Sequence, residues 1–183
     1  MDRSVVEQAQ RGDRDAFALL VGQVSDSLYA VAFRILRETG AAEDALQNAL
    51  VSTWQQLPRL RDAGMFEAWS RRILVHACYD EYRRRRQFAS TVRVIDFHSG
   101  PTSDGSRVLA DRDELEQAFR QLPVDHRAVF VLHHYLGLPL VEIAEMLGIP
   151  AGTARSRLHN ATRTLRSLMA ASALLTIEEG QPA

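Results

Sequence analysis

Apolar residues recur along this chain at steps of three and four positions rather than alternating, and glycine and proline interrupt them sparsely. That period is typical of amphipathic α-helices, so the sequence predicts an all-α fold. The longest apolar stripe comprises Phe17, Leu20, Val21, Val24, Leu28, Val31, Ala32, Ile35 and Leu36. We expect one long helix there, which ends at Thr39-Gly40 because glycine is the usual helix-ending residue.

Two further helices are predicted in the first half of the chain. One runs from about Ala41 to Gln56, and its inner face carries Leu46, Ala49, Leu50 and Trp54. Leu57-Pro58 ends it, and a polar loop from Arg61 to Met65 follows. The next helix runs from about Phe66 to Gln87, with an inner stripe of Trp69, Ile73 and Ala77.

A change of composition then divides the chain. Phe88 to Asp111 is rich in Ser, Thr, Gly and Pro and has no helical period, which is typical of a linker. Four shorter helices are predicted beyond it: Asp113–Leu122, Pro123–Leu136, Leu140–Leu147 and Ala151 to about Leu174. The sequence therefore predicts two small helical domains, residues 1–87 and 112–175, with a linker at 88–111 and a polar tail at 176–183.

The composition excludes several kinds of chemistry. All 22 basic residues among the 183 are arginine, so Schiff-base catalysis, a catalytic lysine and a phosphate loop ending in Gly-Lys-Ser/Thr are excluded. The single cysteine, Cys78, excludes an internal disulfide and a multi-cysteine zinc site. We interpret Cys78 as a small buried hydrophobe, because a redox switch needs a second, resolving thiol.

Histidines give a weak metal signal. His133 and His134 are adjacent and so point in different directions on a helix, and no carboxylate near them or near His126 has a matching spacing. We expect no metal, no cofactor and no catalytic residue.

No membrane span is expected either. The longest apolar run, Leu168 to Ile177, is interrupted by Ser and Thr and falls short of the ~20 residues that a spanning helix needs. We also see no signal peptide and expect a cytoplasmic protein.

The formal net charge of -1 hides a segregated distribution. Six arginines lie between Arg71 and Arg86 against two acids, and four lie between Pro150 and Ala173 with no acid. Segregation of this kind is the electrostatic footprint of a nucleic-acid binder.

The stretch from Leu140 to Leu158 has the pattern of a helix-turn-helix. Ala144 is small enough for two helices to approach, and Gly148 makes the turn. The second helix exposes Arg155, Ser156, His159 and Asn160, and an arginine in the major groove can bond guanine O6 and N7 together. The alternative is an ordinary helical hairpin with solvated arginines, which does not account for the coincidence of turn, small residue and acid-free basic helix.

Aromatic residues and arginines interleave from Phe66 to Arg86. Rings that stack on bases and guanidinium groups that hold phosphates suit single-stranded DNA. In the alternative interpretation, Trp69 is a core residue and Arg83 to Arg86 are a solvated helix end. For Trp69 alone we prefer the core, but four consecutive arginines wrap the helix, so at least two face outward.

Three stretches, in this order, resemble the extracytoplasmic-function (ECF) sigma factors of bacterial RNA polymerase, in the sigma-70 family. They are Ala42-Glu-Asp-Ala-Leu-Gln47, then Phe66-Glu-Ala-Trp69 with Arg72-Ile73, and then Leu122-Pro123 ahead of the segment Gly152-Thr-Ala-Arg-Ser-Arg-Leu158. The resemblance implies that the first domain is sigma region 2 and the second is sigma region 4. It implies an alternative sigma factor that directs promoter-specific initiation, and not an enzyme.

The resemblance also assigns three interfaces. Glu43, Asp44 and Gln47 match the surface that docks on core RNA polymerase. The residues that match the flipped-base loop and single-strand surface of the minus-ten element are Arg61, Asp62, Met65, Phe66, Trp69, Arg72, His76, Tyr79, Arg83 and Arg84. Those that match the minus-thirty-five surface in the major groove are Thr153, Arg155, Ser156, Arg157, His159, Asn160 and Arg163. The linker matches the segment that threads toward the polymerase active centre.

Four positions depart from the family pattern. His76 stands where asparagine is usual, and Asn160 stands where many members carry arginine, which favours an adenine contact over a guanine or phosphate contact. Ala41 and Asn48 replace acids that are common in the polymerase-binding motif. We therefore expect the recognition mode to be kept and the promoter sequence to be particular to this chain.

Partners follow from the resemblance: bacterial core RNA polymerase, promoter DNA and an anti-sigma factor that covers the polymerase-binding faces. A second hypothesis is an autonomous helix-turn-helix regulator. It leaves the aromatic-arginine helix and the Glu43-Asp44-Gln47 motif without a role, and tight duplex binding without polymerase would favour it.

Overall fold

The computed structural model describes residues 2–91 and 116–179, with side chains except at 89–91 and 171–179. All regular structure in these two ranges is helical. The chain divides into a first unit, Met1–Thr91, and a second unit, Val92–Ala183. Most of the predicted linker, residues 92–111, lies outside the described ranges, as does the start of the predicted helix Asp113–Leu122.

Four α-helices form the first unit: α1 Arg3–Gln10, α2 Arg14–Leu36, α3 Thr39–Gln56 and α4 Phe66–Thr91. Asp2, Asp13 and Glu38 cap the first three by accepting hydrogen bonds from backbone N–H groups of the first turn. α1 packs on α2, and α2, α3 and α4 pack on one another around a core that includes Leu20, Ile35, Leu57, Phe66 and Leu74.

The prediction that α2 stops at Thr39-Gly40 was wrong. α2 ends at Leu36, and Arg37 caps it in the left-handed conformation at φ 60°, donating its N–H to Phe33 O. Glu38 then starts α3, because its carboxylate accepts from Gly40 N and Ala41 N at 3.0 Å each. Gly40 therefore lies in the first turn of the next helix, where side-chain capping by Glu38 overrides the usual terminating role of glycine.

The inner faces of α3 and α4 are rotated from the predicted ones. The buried inner face of α3 consists of small residues, which allow α2 and α4 to approach closely. These residues are Ala41, Ala42, Ala45, Ala49 and Thr53. On α4 the buried residues are Phe66, Ser70, Leu74, Val75, Cys78 and Glu81. The predicted inner residues other than Ala49 are half-buried at the edges of these faces: Leu46, Leu50, Trp54, Trp69, Ile73 and Ala77.

α4 also continues four residues past its predicted end. It reaches Thr91, so the first part of the predicted linker is helical. No glycine or proline occurs after Gln87 until Gly100, so the local sequence contains nothing that would stop the helix there.

Among the described residues, α2 alone is long and apolar enough to span a membrane by length and composition. A search for uninterrupted apolar runs does not find this helix, because polar residues such as Asp26 divide its sequence. One face of α2 is buried against the rest of the unit along the whole length of the helix, from Ala16 to Leu36.

The second unit contains the four predicted helices. Residues 116–121 are helical and are called α5; α6 is Val124–Phe130, α7 is Leu140–Leu147 and α8 is Ala151–Glu179. α6 continues into a π-helical turn, Val131–Tyr135. α8 packs on α6 and α7, and its Ala161 and Leu165 form a core with Ala118 and Leu122. Part of the predicted tail, 176–179, is helical and belongs to α8.

Candidate nucleic-acid and protein interfaces

The helix-turn-helix predicted from Leu140 to Leu158 is confirmed as α7, a tight turn and α8. Gly148 ends α7 at φ 64°, in the left-handed region, and Ile149 N donates to Ala144 O at 3.0 Å. Ala144 is buried beneath α8, so the two helices approach over a methyl group. This turn determines which face of α8 points away from the unit.

One face of α8 presents most of the residues predicted to read duplex DNA. Arg155, Ser156, His159 and Arg163 are exposed, while Thr153 and Asn160 are half-buried at its edges. Arg166 is also exposed, about one turn beyond Arg163 on the same side, and the sequence analysis missed it. The three-residue spacing between Arg163 and Arg166 could have indicated that both lie on the same side of the helix.

Arg157 differs from the other arginines of α8. Its Nη2 donates to Asp125 Oδ2 of α6 at 3.1 Å, and only 22% of its side chain is exposed. The same guanidinium lies near His126, whose pKa is lowered by burial first and by Arg157 second. These contacts hold the half-buried Arg157 against α6, away from the exposed face of α8, and we revise its predicted role in base reading.

The histidines of the π-helical turn make contacts within the second unit. His133 Nδ1 lies 2.9 Å from Leu138 O, and the His134 ring packs on Phe130 with centroids 4.4 Å apart. Burial, and next the neighbouring His133, lower the pKa of His134. Within residues 2–91 and 116–179, no three His, Cys, Asp or Glu side chains are arranged to hold a metal ion.

The loop that precedes α4 presents polar and apolar side chains together. Arg61, Asp62 and Met65 are exposed, and the Asp62 carboxylate accepts from Gly64 N at 2.9 Å. Phe66 lies in the core at 1% exposure, so its ring has no free face for a base. This corrects the prediction that Phe66 contacts DNA. Phe66 is the first residue of α4, and its side chain packs in the core and so fixes the end of the loop.

α1 holds this loop from its other side. Gln10 Nε2 donates to Leu57 O at 3.2 Å and to Leu60 O at 2.7 Å. The Arg3 guanidinium lies 3.6 Å from Asp62 Oδ1 and covers Gly64 so closely that a Cβ there would meet it at 2.6 Å. The sequence analysis gave α1 no role, since it is short and its few apolar residues form no long stripe.

α4 carries the other residues predicted to bind a single strand. Arg72, His76 and Arg83 are exposed, whereas Trp69 and Tyr79 are half-buried. Arg83 lies 3.7 Å from Asp80 in an exposed pair. At about 100° per residue, Arg72, His76, Tyr79, Arg83 and Arg86 fall within about 80° of one another on the helix. Arg86, which the sequence analysis did not assign, therefore belongs to the same face.

Arg84 and Arg85 point to the other side of α4, toward α3. Arg84 donates to both oxygens of Glu81 at 2.9 Å and to Asp44 Oδ2 at 3.1 Å. Arg85 donates to Glu81, to Glu38 and, at 3.0 Å, to Asp44 Oδ2. Burial lowers the pKa of Arg85, but the bonds to Glu81, Asp44 and Glu38 outweigh it and raise the pKa overall. Arg84 and Asp44, assigned to different interfaces, thus contact each other.

The three residues predicted to bind polymerase share the outer side of α3. Glu43 and Gln47 are exposed, and Asp44 is half-buried because the two arginines cover it. Two open grooves border α3. A polar one toward α4 is lined by residues including Asn48, Ser52, Gln56 and His76. An apolar one toward α2 is lined by Arg14, Phe17, Val21, Leu50, Val51 and Trp54.

Cys78 is fully buried, as predicted. Burial raises the pKa of its thiol from 9.0 to about 12. The thiol is therefore neutral at physiological pH, which suits a small apolar core residue.

Known proteins resemble the chain in both units. The family described as sigma-70 region 2 matches residues 20–88, and sigma-70, region 4, matches residues 112–165. The ECF RNA polymerase sigma factor SigW of Bacillus subtilis is 29% identical over 181 residues, which cover 91% of this chain and 95% of that protein. The RNA polymerase sigma-H factor of Pseudomonas aeruginosa is 30% identical over 179 residues, with 90% and 91% covered.

A solved structure has the same fold. The sigma factor RpoE of Bartonella quintana, crystallised with the anti-sigma factor NepR, is 26% identical with a TM-score of 0.65, and the match covers 84% of this chain and 96% of that one. The family matches and these likenesses cover both helical units and most of the chain. The chain belongs to the extracytoplasmic-function sigma factors of the sigma-70 family, and its function is that of an alternative sigma factor in transcription initiation.

Proposed function

We propose that this sigma factor binds bacterial core RNA polymerase through α3 and directs it to promoters with two elements, which it reads through separate units. The observation that carries the proposal is the pairing, on one chain, of two exposed arginine-bearing helix faces with an acidic face on α3. Two faces for DNA and one for protein suit a factor that links core polymerase to a promoter with two elements. The protein performs no catalysis of its own in this proposal.

The minus-thirty-five element binds to α8. Its exposed Arg155, His159 and Arg163 suit the major groove, because no acid on the same helix face opposes the phosphates. Ser156, Thr153 and Asn160 are placed beside them to bond base edges or phosphates. Arg157 supports the face from behind through Asp125.

The minus-ten element binds to the loop and the outer face of α4 in its melted form. Arg61, Asp62 and Met65 surround an extruded base, whose pairing edge is free to be read only after the strands have separated. Arg72, His76, Tyr79, Arg83 and Arg86 follow the strand along α4. Trp69, which packs 6.2 Å from the buried Phe66 ring, supports the loop and offers a partial face for stacking.

Core polymerase binds to Glu43, Asp44 and Gln47. An anti-sigma factor competes for this face and for the apolar groove beside it, in line with the complex in which the Bartonella quintana relative was solved. Purification of the tagged chain from its native lysate is expected to return such a partner as well as polymerase subunits. Recovery of polymerase subunits alone would contradict the anti-sigma proposal.

Reconstituted transcription tests the main proposal. Purified chain, core polymerase and a library of random promoters should give transcripts that share two sequence elements upstream of their starts, and core polymerase alone should not. Failure of the chain to associate with core polymerase at any salt concentration would overturn the proposal. Tight, sequence-specific duplex binding without polymerase would instead favour an autonomous regulator.

A further inference from the structure

The four consecutive arginines of α4, Arg83 to Arg86, do not form one basic patch. Successive residues on a helix are about 100° apart, so a run of four covers its full circumference. Arg83 and Arg86 lie on the outer face with Arg72 and His76, whereas Arg84 and Arg85 flank the buried side that carries Glu81. One short stretch of sequence therefore supplies cations to two different surfaces.

Glu81 organises the inner pair. Its side chain is only 1% exposed and receives the guanidinium groups of both arginines. A carboxylate is costly to bury unless several charged donors surround it, so Glu81 holds both guanidinium groups in fixed orientations. Arg84 binds it with two nitrogens at 2.9 Å, a fork that a lysine cannot reproduce.

The remaining donors of the inner pair go to α3. Arg84 and Arg85 both donate to the same oxygen of Asp44, at 3.1 and 3.0 Å. Arg85 also binds Glu38, whose carboxylate caps the first turn of α3. The inner pair thus contacts α3 at its N-terminus and again at Asp44, which lies about 60° around the helix from Gln47, at the edge of the face proposed for polymerase that is nearer α4.

We propose that Arg84 and Arg85, oriented by Glu81, are positioning residues for the polymerase-binding face of α3, and that of the four consecutive arginines only Arg83 and Arg86 contact the DNA strand. This inference rests on the proposed function, because it divides the arginines between the two interfaces defined there. It reassigns Arg84 from the DNA surface to the protein surface and gives the buried Glu81 a function. The residue of the proposed polymerase-binding face that both arginines contact is Asp44. The two arginines therefore affect the binding of core polymerase through the position of the Asp44 side chain.

Two double variants of the full chain separate the roles, each with two arginines removed from the same helical turn. Arg84→Ala with Arg85→Ala should lower the affinity for core polymerase about tenfold, the effect expected when a charge-assisted contact is misplaced. Once core is saturating, binding of a single-stranded minus-ten oligonucleotide should be close to that of the unaltered chain. Affinity for core is measured by titration of the tagged chain and affinity for DNA by fluorescence anisotropy.

Arg83→Ala with Arg86→Ala is the matched control and should give the reverse result. Core affinity should be kept, and the oligonucleotide should bind more weakly with a shallower salt dependence, by roughly 0.7 in log-log slope for each phosphate that an arginine no longer neutralises. Equal losses of core affinity in both double variants would overturn the inference, because the effect would then be one of charge alone. An inner-pair variant that keeps full core affinity would also overturn it.

Arg84→Lys with Arg85→Lys distinguishes position from charge. It keeps both charges but lacks the fork on Glu81, so its core affinity should remain lowered; full recovery would contradict the positioning role. Far-UV circular dichroism and the unfolding midpoint establish that each variant is folded, and the lysine pair carries the test if the alanine pair unfolds. If the unaltered chain itself fails to bind core, the proposed function fails rather than this division of the arginines.

Discussion

At the scale of single residues, Arg155 and Arg157 stand two positions apart on α8 but have different surroundings. Arg155 is exposed, and Arg157 is held by Asp125. Arg155→Ala should weaken binding to the minus-thirty-five duplex by ~1–3 kcal/mol and relax its specificity at one position, if the guanidinium bonds a guanine. Competition binding against single-base variants of the element measures both effects.

Arg157→Ala is the control for that experiment. It removes a partly exposed ion pair worth about 0.2–1 kcal/mol, so it should lower the free energy of unfolding slightly and leave base preference unchanged. An unaltered base preference in Arg155→Ala would contradict a base-reading role for Arg155. A changed base preference in Arg157→Ala would contradict a purely supporting role for Arg157.

Cys78 gives a prediction on pH. Its folded pKa of about 12 lies above the unfolded value near 9.0, so the stability contributed by the neutral buried thiol is present below pH 9 and is lost as the pH rises toward 12. At pH 8 a thiol reagent should modify the protein no faster than it unfolds, and immediately in denaturant. Modification of the native protein within the mixing time would contradict the burial.

At the scale of elements, two glycines of the helix-turn-helix should respond in opposite directions to substitution. Gly148→Ala places a side chain at φ 64° and should cost about 1–2 kcal/mol of unfolding free energy. Gly152→Ala, in the first turn of α8, should gain about 0.4–1 kcal/mol, because alanine loses less backbone entropy on folding than glycine does. A Cβ meets no atom within 4 Å at either position, so only the backbone conformation differs.

Denaturation followed by circular dichroism checks the two glycine variants. Trp54 and Trp69 both lie in the first unit, so tryptophan fluorescence should report an unchanged transition and serves as the internal control. A loss of stability in both variants would indicate that contacts, and not backbone conformation, govern the turn.

Of the two promoter elements, only the binding of the minus-ten element should depend on the contacts of α1. Gln10→Ala removes the two hydrogen bonds that hold the chain at Leu57 and Leu60, each worth about 0.5–1.5 kcal/mol net. We expect the holoenzyme to bind an unstacked base several-fold more weakly, measured by the emission of a fluorescent base analogue. Gln8→Ala, which alters an exposed residue of the same helix, should have no effect, and binding of the minus-thirty-five duplex should be unchanged in both variants.

At the scale of the whole molecule, the two units lie on one chain and so must reach their DNA sites together. Five base pairs added between the two promoter elements turn one element about half a helical turn from the other. Simultaneous engagement is then lost, and transcription should fall by about a hundredfold, the low end of what linked binding contributes. Run-off transcription measures this, and a spacer-independent yield would show that one unit is sufficient.

Much of this architecture could be predicted from the local sequence. The three- and four-residue period identified the helices because each one buries a single face, and Gly148 identified the turn because a left-handed residue is needed there. The resemblance of three motifs identified the family. Other local signals failed: Gly40 begins a helix instead of ending one because Glu38 caps it, and Phe66 begins α4 inside the core.

The sequence by itself determined the helical class and the two-unit order, and it predicted a set of candidate residues for each interface. Only the tertiary structure decided which of those residues face outward. Arg83 to Arg86 are identical in type and adjacent in sequence, and Arg155 and Arg157 differ by two positions. Glu81 lies one turn before Arg84 and Arg85 on α4 and binds both from the buried side. Asp44 and Asp125 come from other helices, 40 and 32 residues away from Arg84 and Arg157. A charged side chain takes its orientation from the acid within reach, and packing decides both which local acid is buried, as Glu81 is, and which distant acid, such as Asp44 or Asp125, comes close.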